Sequence, residues 1–466
     1  MKKNHAAAVG LGDLPGEILN QILVRLPVIS ILRCAAVCKD WNSLIRNSAF
    51  VYHHRSSNPN NQQPSLLLRR CGEAPSTGGE IEESFTLYSD PDRLSSSSST
   101  AISSPFTPRS HDPTSLRVFG SLHGLICLCD NYRTYGYIIY VWNPSLRRFI
   151  DLPSPTLTFR NMGNRIRPET TVSRMRRGYL KRVNNLFAVL GFGYDCRRND
   201  YKVVRIVYPP QPTTCPRRAE VYALKERRWR EVLHAEELLR SCDVPRLWTQ
   251  CFVDGTIYWP AMVGCKSNYI LAFDVNDEGF SRIELPKELP GAGESRLVSI
   301  SETKVKGLLT VLYHTATSCE VLLMKGGGAV EDSWVRFCSV SIVDPTRDKV
   351  IGLCRDEKVL LQKDKAGDLT GLMGLGEEAE LCLYDCKTQE IERLGLPGTG
   401  FRGRGASYAA DYTESLVLLE PEFGAVSYRE SKTGPVIRSV NFDLEDEHAR
   451  WSLKRMTLCK WDSTSV

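Results

Sequence analysis

Three glycines in the C-terminal part of the chain have the spacing of a nucleotide-binding loop. Gly398, Gly400 and Gly403 fit G-x-G-x-x-G, in which the glycines let the backbone approach a pyrophosphate. That chemistry requires a strand before the loop and a helix after it. The residues that follow, ASYAADYTESLVLLE, have the pattern of a strand instead. We therefore expect a loop between strands and no nucleotide site.

Other reactive residue types do not form a catalytic pattern. His53 and His54 are adjacent, but no further ligand stands at a spacing suited to a metal, so we expect them to end a helix. The acidic residues Glu377, Glu378 and Glu380 are interpreted as a solvated loop. No H-E-x-x-H or G-x-S-x-G motif occurs. The sequence thus predicts a chain that is not an enzyme and that binds no cofactor or metal.

The cysteines and tryptophans are better explained as core residues. The chain has 16 cysteines but no C-x-x-C pair. Cys127, Cys251 and Cys382 lie in apolar, strand-like runs, so we expect reduced, buried thiols rather than disulfides or zinc sites. Four tryptophans are likewise expected to fill the core rather than to bind ligands: Trp142, Trp229, Trp259 and Trp334.

The positive charge of the chain is concentrated in one segment. The formal net charge is +6, and residues 154–187 hold eight basic residues against the single acid Glu169. The rest of the chain is therefore close to neutral, and this charge distribution does not support a nucleic-acid-binding surface. The segment is interpreted as an insertion, either a solvated loop or a nuclear-import or acidic-partner contact formed by Arg174, Arg176, Arg177, Lys181 and Arg182.

Neither end of the chain predicts secretion or a membrane span. The apolar stretch before Asp13 is short and Ala-rich, unlike a secretory signal. No segment approaches the ~20 apolar residues that a membrane helix needs. We expect a protein without membrane contact, located in the cytoplasm, the nucleus or both.

The first fifty residues have the periodicity of three short helices. Apolar residues spaced by three to five positions predict a helix that ends at Pro27, followed by a second apolar helix and by a third over about residues 40–47. Three helices in so short a segment have more apolar surface than they can bury among themselves. The excess predicts a partner.

The same segment resembles an F-box, over residues 11–54. The likeness rests on the opening Leu14-Pro15, the Leu26-Pro27 break, the run from Arg33 to Trp41, RCAAVCKDW, and Phe50. An F-box implies docking to the Skp1 adaptor of cullin-based ubiquitin ligases by helix-in-groove contacts. The residues implied in Skp1 binding are Leu14, Pro15, Ile18, Leu19, Ile22, Leu23, Leu26, Pro27, Ile31, Leu32, Val37, Cys38 and Trp41.

The remaining chain is predicted to be mainly β. Residues 55–115 are rich in Ser and Pro and are interpreted as a partly disordered linker, with short strands near residues 65–68 and 85–88. Over residues 116–461, six hairpins recur every 44 to 80 residues, which favours a β-propeller over its alternative, a pair of β-sandwiches. The residues that align the hairpins are Trp142, Tyr222, Phe273, Leu323, Tyr384 and Tyr428.

This β region resembles the plant F-box-associated, kelch-like domain. The likeness rests on GLIC at 124–127, WNP at 142–144, LP at 152–153, GFGYD at 191–195 and DYKVV at 200–204. It implies a substrate-recognition subunit of an SCF-type ubiquitin ligase, in which the F-box binds Skp1, and through it a cullin, while the β domain binds an unidentified target for ubiquitination and degradation. The alternatives are a non-degradative Skp1-binding protein and a glycan-reading propeller.

Overall fold

The computed structural model divides the chain into two compact units, Met1–Arg429 and Glu430–Val466. All residues that the structure describes belong to the first unit. They are residues 15–57, 65–73, 81–89, 99–106, 116–130, 138–157, 187–208, 216–244, 250–263, 267–286, 289, 298–303, 308–315, 317–325, 334–342, 349–353, 358–364, 379–397, 408–418 and 427–428.

The N-terminal segment contains one helix more than the sequence predicted. The helices are α1 (Gly16–Leu23), α2 (Val28–Ala35), α3 (Lys39–Ile45) and α4 (Ser48–Ser57). Pro15 and Pro27 stand at the N-caps of α1 and α2, where the missing N–H of proline leaves no helical hydrogen bond unmade. The prediction of three helices was wrong because Asn47 starts a new helix: its Oδ1 accepts a hydrogen bond from the Ala49 N–H at 2.8 Å. A fifth short helix, α5 (Glu236–Arg240), lies farther along the chain.

In the part of the chain that the structure describes, the strands form six antiparallel sheets. Blade 1 has the strand order β24-β1-β2-β3, blade 2 has β25-β7-β6-β5-β4, and blades 3 to 6 each contain four consecutive strands. The strands are β1 (Ser65–Glu73), β2 (Ile81–Tyr88), β3 (Ser99–Ile102), β4 (Leu116–Leu122), β5 (Leu125–Asp130), β6 (Ile138–Asn143), β7 (Arg148–Asp151), β8 (Phe187–Asp195), β9 (Asp200–Tyr208), β10 (Arg218–Ala223), β11 (Arg228–Glu231), β12 (Cys251–Val253), β13 (Thr256–Val263), β14 (Ser267–Asp274), β15 (Gly279–Glu284), β16 (Val298–Thr303), β17 (Leu308–His314), β18 (Ser318–Met324), β19 (Trp334–Ser341), β20 (Lys349–Leu353), β21 (Lys358–Asp364), β22 (Ala379–Asp385), β23 (Ile391–Pro397), β24 (Tyr408–Tyr412) and β25 (Ser427–Tyr428).

The sheets form a closed ring, which confirms the β-propeller rather than the sandwich alternative. Neighbouring blades contact one another through β24 and β4, β4 and β8, β8 and β13, β12 and β16, β16 and β20, and finally β20 and β24. The ring closes in blade 1, where the C-terminal strand β24 pairs with β1, so that Leu66 lies opposite Asp411. The innermost strands keep one edge toward the centre, and the radial arrangement leaves these edges short and protected.

The segment interpreted as a linker contributes three strands to this ring. β1, β2 and β3 fall between residues 65 and 102, inside the predicted linker at 55–115. Leu67 and Phe85 are fully buried, and Phe85 meets Trp142 of blade 2 edge to face with ring centroids 5.3 Å apart. The strands expected near residues 65–68 and 85–88 are present. They are longer than expected and form blade 1 together with β3 and β24, because their apolar residues pack against a neighbouring blade. The serines at 95–98 lie outside the described residues.

The repeat inferred from the sequence is correct for five of its six aligning residues. Trp142, Tyr222, Phe273, Leu323 and Tyr384 lie on β6, β10, β14, β18 and β22, the third strand from the centre in blades 2 to 6. Tyr428 was wrongly aligned, since it lies on β25 and pairs with Arg148 at the outer edge of blade 2. The remaining blade, blade 1, is instead built mainly from residues that precede residue 116.

The long chain segment that connects blade 2 to blade 3 begins with residues that are hydrogen-bonded to blade 3. In blade 3, the buried Glu220 carboxylate accepts hydrogen bonds from the Thr156 and Leu157 N–H groups, each at 3.0 Å. Trp229 Nε1 donates to the Pro153 carbonyl at 2.8 Å. The chain is thus held against blade 3 up to Leu157, and the basic residues from Arg174 to Arg182 lie outside the described residues.

Candidate docking surface on the N-terminal helices

The inner face of the N-terminal helices shares a hydrophobic core with the propeller. Leu23, Val28 and Ile31 are almost fully buried, and they belong to one cluster with Leu125 of β5 and Phe192 of β8. Burying an aliphatic side chain of this size stabilises a fold by ~1.5–3 kcal/mol. The helices are therefore packed onto blades 2 and 3. The other buried helical residues of the cluster are Leu19, Val24, Ile45, Phe50 and Val51.

Two polar contacts orient the helices on this core. The first N–H of α2, at Val28, donates to Oε2 of Glu414, which follows β24, at 3.0 Å. A carboxylate at a helix N-terminus satisfies an otherwise unpaired N–H and complements the helix dipole. His54 of α4 is buried and its Nε2 lies 3.2 Å from the Leu26 carbonyl, consistent with donation from an Nε2–H. Burial lowers the pKa of His54 despite this hydrogen bond, so the ring is neutral at pH 7.

Arg55, near the end of α4, reaches into a pocket of aromatic side chains on blades 2 and 3. Its guanidinium donates to the hydroxyls of Tyr194 at 2.9 Å and Tyr201 at 3.1 Å, and to Nδ1 of His123 at 3.3 Å. The guanidinium carbon also lies 4.4 Å from the centroid of the Tyr194 ring and 5.0 Å from that of Tyr52. Arginine stays charged in proteins, so these are charge-assisted hydrogen bonds with additional cation–π contacts. We call Arg55, His123, Tyr194 and Tyr201 the Arg55 joint.

Buried charges hold the hairpin that carries both tyrosines. Lys202 of β9 is fully buried, and its Nζ lies 2.6 Å from Asp195 and 2.7 Å from Glu278 of blade 4. Asp200 accepts hydrogen bonds from the Tyr201 N–H at 2.7 Å and the Lys225 N–H at 3.2 Å. With Lys202 paired to two carboxylates and Asp200 hydrogen-bonded to two N–H groups, the hairpin of β8 and β9 keeps a fixed position at the end of the propeller where the helices sit.

Two glycines of the same hairpin are required by close packing between blades 3 and 4. A Cβ at Gly191 would lie 2.3 Å from a ring carbon of Trp259, and one at Gly193 would lie 2.7 Å from a methyl group of Val275. Trp259 is fully buried and its Nε1 donates to the Leu190 carbonyl at 2.9 Å. The residues GFGYD at 191–195 are thus a packing element, and their tyrosine belongs to the Arg55 joint.

The outer face of the helices exposes apolar side chains. Ile18 and Ile22 of α1 are 46% and 38% exposed, while Ile29 of α2 and Val37 beyond its end are 55% and 68% exposed. We call these four residues the outer face. Since the inner face is covered by the propeller, the outer face is the apolar part of α1 and α2 that remains open to a partner.

Two family matches cover most of the region described above. Residues 11–57 match the F-box-like family, and residues 78–324 match the F-box associated beta propeller domain. The second match spans more than half of the chain. The chain belongs to the F-box associated beta propeller family. Its helices α1 to α4 are hereafter called the F-box.

Individual relatives agree with this assignment. An F-box/kelch-repeat protein of Arabidopsis thaliana is 27% identical over 336 residues, covering 70% of this chain and 79% of that protein. The F-box protein CPR1 of the same plant is 24% identical over 440 residues, covering 91% of this chain and 93% of that protein.

Among solved structures, TolB from Acinetobacter baumannii has a TM-score of 0.40 and 10% identity, covering 78% of this chain and 69% of that chain. A lectin of Aleuria aurantia has a TM-score of 0.36 and 9% identity, covering 72% of this chain and 96% of that chain. Similarities at this level carry no argument about function.

The structure divides the residues predicted to bind Skp1 into three groups. Leu14 lies outside the described residues. The exposed group is Pro15, Ile18, Ile22, Pro27, Val37 and Cys38. The half-buried group is Leu26, Leu32 and Trp41. The buried group, which packs in the core shared with the propeller, is Leu19, Leu23 and Ile31.

Sequence reasoning missed the residues that join the F-box to the propeller. Arg55 was assigned to the linker, although it lies in α4. Tyr194 and Tyr201 were singled out within the family motif, yet nothing in their spacing indicated a contact with a residue 139 or 146 positions away. Glu414 carried no signal at all, because a lone carboxylate after a strand is common.

The other residue types considered for chemistry have structural positions. Trp142, Trp229 and Trp259 are buried and Trp334 is half-buried, and Cys127, Cys251 and Cys382 are buried, as predicted. Glu380 is also buried and lies in β22, so its interpretation as part of a solvated loop was wrong. His53 and His54 lie inside α4 rather than at the end of a third helix. The glycines at 398–403 and the acids at 377–378 lie outside the described residues.

No group of three or more His, Cys, Asp or Glu side chains within the described ranges is arranged to hold a metal ion. Among the described helices, none has the length and apolar character of a membrane span.

Proposed function

We propose that this chain is the substrate-receiving subunit of an SCF-type ubiquitin ligase. In this proposal the F-box docks a Skp1-type adaptor and, through it, a cullin, while the propeller binds a target protein for ubiquitination and degradation. The observation that carries the proposal is the exposure of the outer face on an F-box whose inner face is already covered. The matches to F-box proteins support the same conclusion.

The outer face has the chemistry that docking to an adaptor requires. Ile18 and Ile22 are one helical turn apart on α1, so both side chains can enter one apolar groove. Transfer of each fully exposed aliphatic side chain into such a groove would contribute ~1.5–3 kcal/mol. Partial exposure reduces this figure, but four side chains together still provide a substantial share of a stable interface.

A ligase receptor also requires that the F-box be rigidly attached to the propeller, and this attachment is a second feature that supports the proposal. A ligase receptor forms no bond itself; it raises the effective concentration of target lysines near the ubiquitin-charged enzyme. If the propeller could rotate freely relative to the F-box, this effective concentration would be lower. The shared core and the Arg55 joint would fix the direction in which the propeller holds its target.

The topology distinguishes the two ends of the propeller. The turns after β4 and β8 lie at the end covered by the F-box, because His123 of the first turn and Tyr201 at the start of β9 contact Arg55. Because the blades are antiparallel, β5 and β9 run away from this end, and their last residues, Asp130 and Tyr208, lie at the opposite end. We propose that this opposite end receives the target, and that the protein acts in the cytoplasm, the nucleus or both.

The docking proposal is tested by reversing the polarity of the outer face. The double substitution Ile18→Glu with Ile22→Glu should abolish capture of a Skp1-type adaptor, because it places two charges in an apolar groove. The control is Leu233→Glu, which changes an exposed apolar residue of the propeller, 74% exposed, and should leave capture unchanged. Both variants should keep the melting temperature of the parent chain.

Undiminished capture by the folded double variant would refute docking through the outer face. The ligase step needs a second measurement: the captured complex should contain a cullin and should assemble ubiquitin chains with purified ubiquitin-activating and conjugating enzymes. An adaptor complex without cullin would favour the non-degradative alternative.

A further inference from the structure

Two cysteines from neighbouring blades meet at the outer part of the propeller. Cys338 lies in β19, the outermost strand of blade 5, and Cys386 follows β22 of blade 6 in the turn that leads to β23. Their Sγ atoms are 2.6 Å apart, although the residues are 48 positions apart in the chain. The spacing of the cysteines in the sequence gives no indication of this pair.

The surrounding strands keep the two sulfurs together. Both side chains are half-buried at the margin of the hydrophobic core between blades 5 and 6, which contains Val321, Val340 and Tyr384. The Tyr384 hydroxyl donates to the carbonyl of the residue beside Cys338, Ser339, at 3.4 Å. Because each cysteine sits on or next to a paired strand, the high local concentration of one thiol around the other is built into the fold.

We propose that Cys338 and Cys386 form an oxidisable thiol pair that crosslinks blade 5 to blade 6. With hydrogen peroxide as the oxidant, one thiol loses its proton, its thiolate attacks a peroxide oxygen and the O–O bond breaks. The products are a sulfenic acid and a hydroxide, which takes up the released proton and becomes water. The second thiol then attacks the sulfenic sulfur and releases another water as the S–S bond forms. In total the pair loses two electrons and two protons, and peroxide is reduced to two waters. A dithiol reductant reverses the bond by exchange.

The environment of the pair makes the first step slow and the second fast. The hydrogen bond to Cys386, followed by burial, raises the pKa of Cys338 above its ordinary value, so the thiolate that attacks peroxide is scarce at neutral pH. Once either sulfur is oxidised, its partner is in contact and needs no diffusion. The pair therefore differs from the exposed Cys38 and Cys196 in what happens to the sulfenic acid, which the partner thiol converts to a disulfide. It does not differ by a faster formation of the sulfenic acid.

The crosslink is tested on the purified full-length chain. After peroxide treatment, alkylation of remaining thiols and non-reducing digestion, mass spectrometry should find the peptide of Cys338 joined to that of Cys386. The melting temperature should rise by about 5 °C, since the bond restricts the unfolded chain over a loop of about fifty residues. A dithiol reductant should return both readouts to their starting values.

Matched variants separate this pair from general oxidation. Cys338→Ser should abolish both the joined peptide and the temperature shift, whereas Cys196→Ser, which removes an exposed cysteine of blade 3, should keep both. Three outcomes would overturn the proposal. In the first, Cys338 and Cys386 still react with the alkylating reagent while Cys196 is oxidised. In the second, the crosslink joins either of them to another cysteine. In the third, the temperature shift persists in Cys338→Ser.

Discussion

The substitution Arg55→Ala tests whether the Arg55 joint holds the F-box on the propeller. It removes three hydrogen bonds from a charged donor, to the Tyr194 and Tyr201 hydroxyls and to His123. Each is worth about 1.5–3 kcal/mol in proteins, and a cation–π contact adds roughly 0.5–1 kcal/mol. The terms are not additive, and the guanidinium is partly solvated, so we expect a loss of about 3 kcal/mol from the docked state.

The expected effect is local. The tyrosines keep their positions in blade 3 through the buried Lys202 and Asp195, so the propeller should remain folded. Hydrogen exchange of amides in α1 to α4 should accelerate roughly a hundredfold, because each 1.4 kcal/mol corresponds to a factor of about ten. Amides of blades 4 and 5 should exchange at the parent rate and serve as the internal reference.

Two variants control the interpretation. Arg55→Lys keeps the charge but lacks the planar fork that reaches three acceptors, so its exchange should be intermediate. Arg25→Ala removes an exposed arginine just beyond α1 and should leave exchange unchanged. If the amide exchange rates in the F-box of Arg55→Ala stay within twofold of those of the parent, the proposed role of the Arg55 joint is refuted. An equal acceleration of exchange in Arg25→Ala would refute it as well.

Three further predictions follow from the fold. A fragment of residues 116–466 should show no cooperative thermal unfolding by circular dichroism, because it leaves β24 without β1, whereas a fragment that begins between α4 and β1 should retain a transition. Gly191→Ala should lower the free energy of unfolding in urea by about 2 kcal/mol through collision with Trp259, while Gly279→Ala, which meets no atom within 4 Å, should change it little. Burial raises the pKa of Asp200 from 3.8 to about 6, so its contribution to stability is full below about pH 4 and is lost as the pH rises through 6. Asp200→Asn should therefore be more stable than the parent at pH 8 and not at pH 4; an equal difference at both values would contradict this.

Much of the local structure could be read from the sequence. The apolar spacing in the first fifty residues predicted α1 and α2, and the proline at position 27 separated them as expected. The hairpin pattern located the third strand of five blades. These elements are predictable because helix periodicity, strand alternation and turn composition depend on neighbours within a few residues.

The sequence also determined the family, and with it the kind of partner that we propose for the outer face. It did not determine which apolar residues of the F-box point outward. Ile18 and Leu19 are adjacent and similar in character, yet the first is 46% exposed and the second is buried. Amphipathic spacing marks one broad apolar face of α1, and only the position of the propeller decides which part of that face is covered.

Closure of the ring and attachment of the F-box were decided by the tertiary structure alone. β1 pairs with β24 across more than three hundred residues, Val28 meets Glu414 at a separation of 386, and Cys338 meets Cys386 across a blade boundary. No local pattern encodes such contacts, because each depends on the summed geometry of all the blades between the two residues. The apparent linker showed the same limit: two short strands were expected in it from the sequence, but their place in a propeller blade was not, because that place depends on the blades on either side of them.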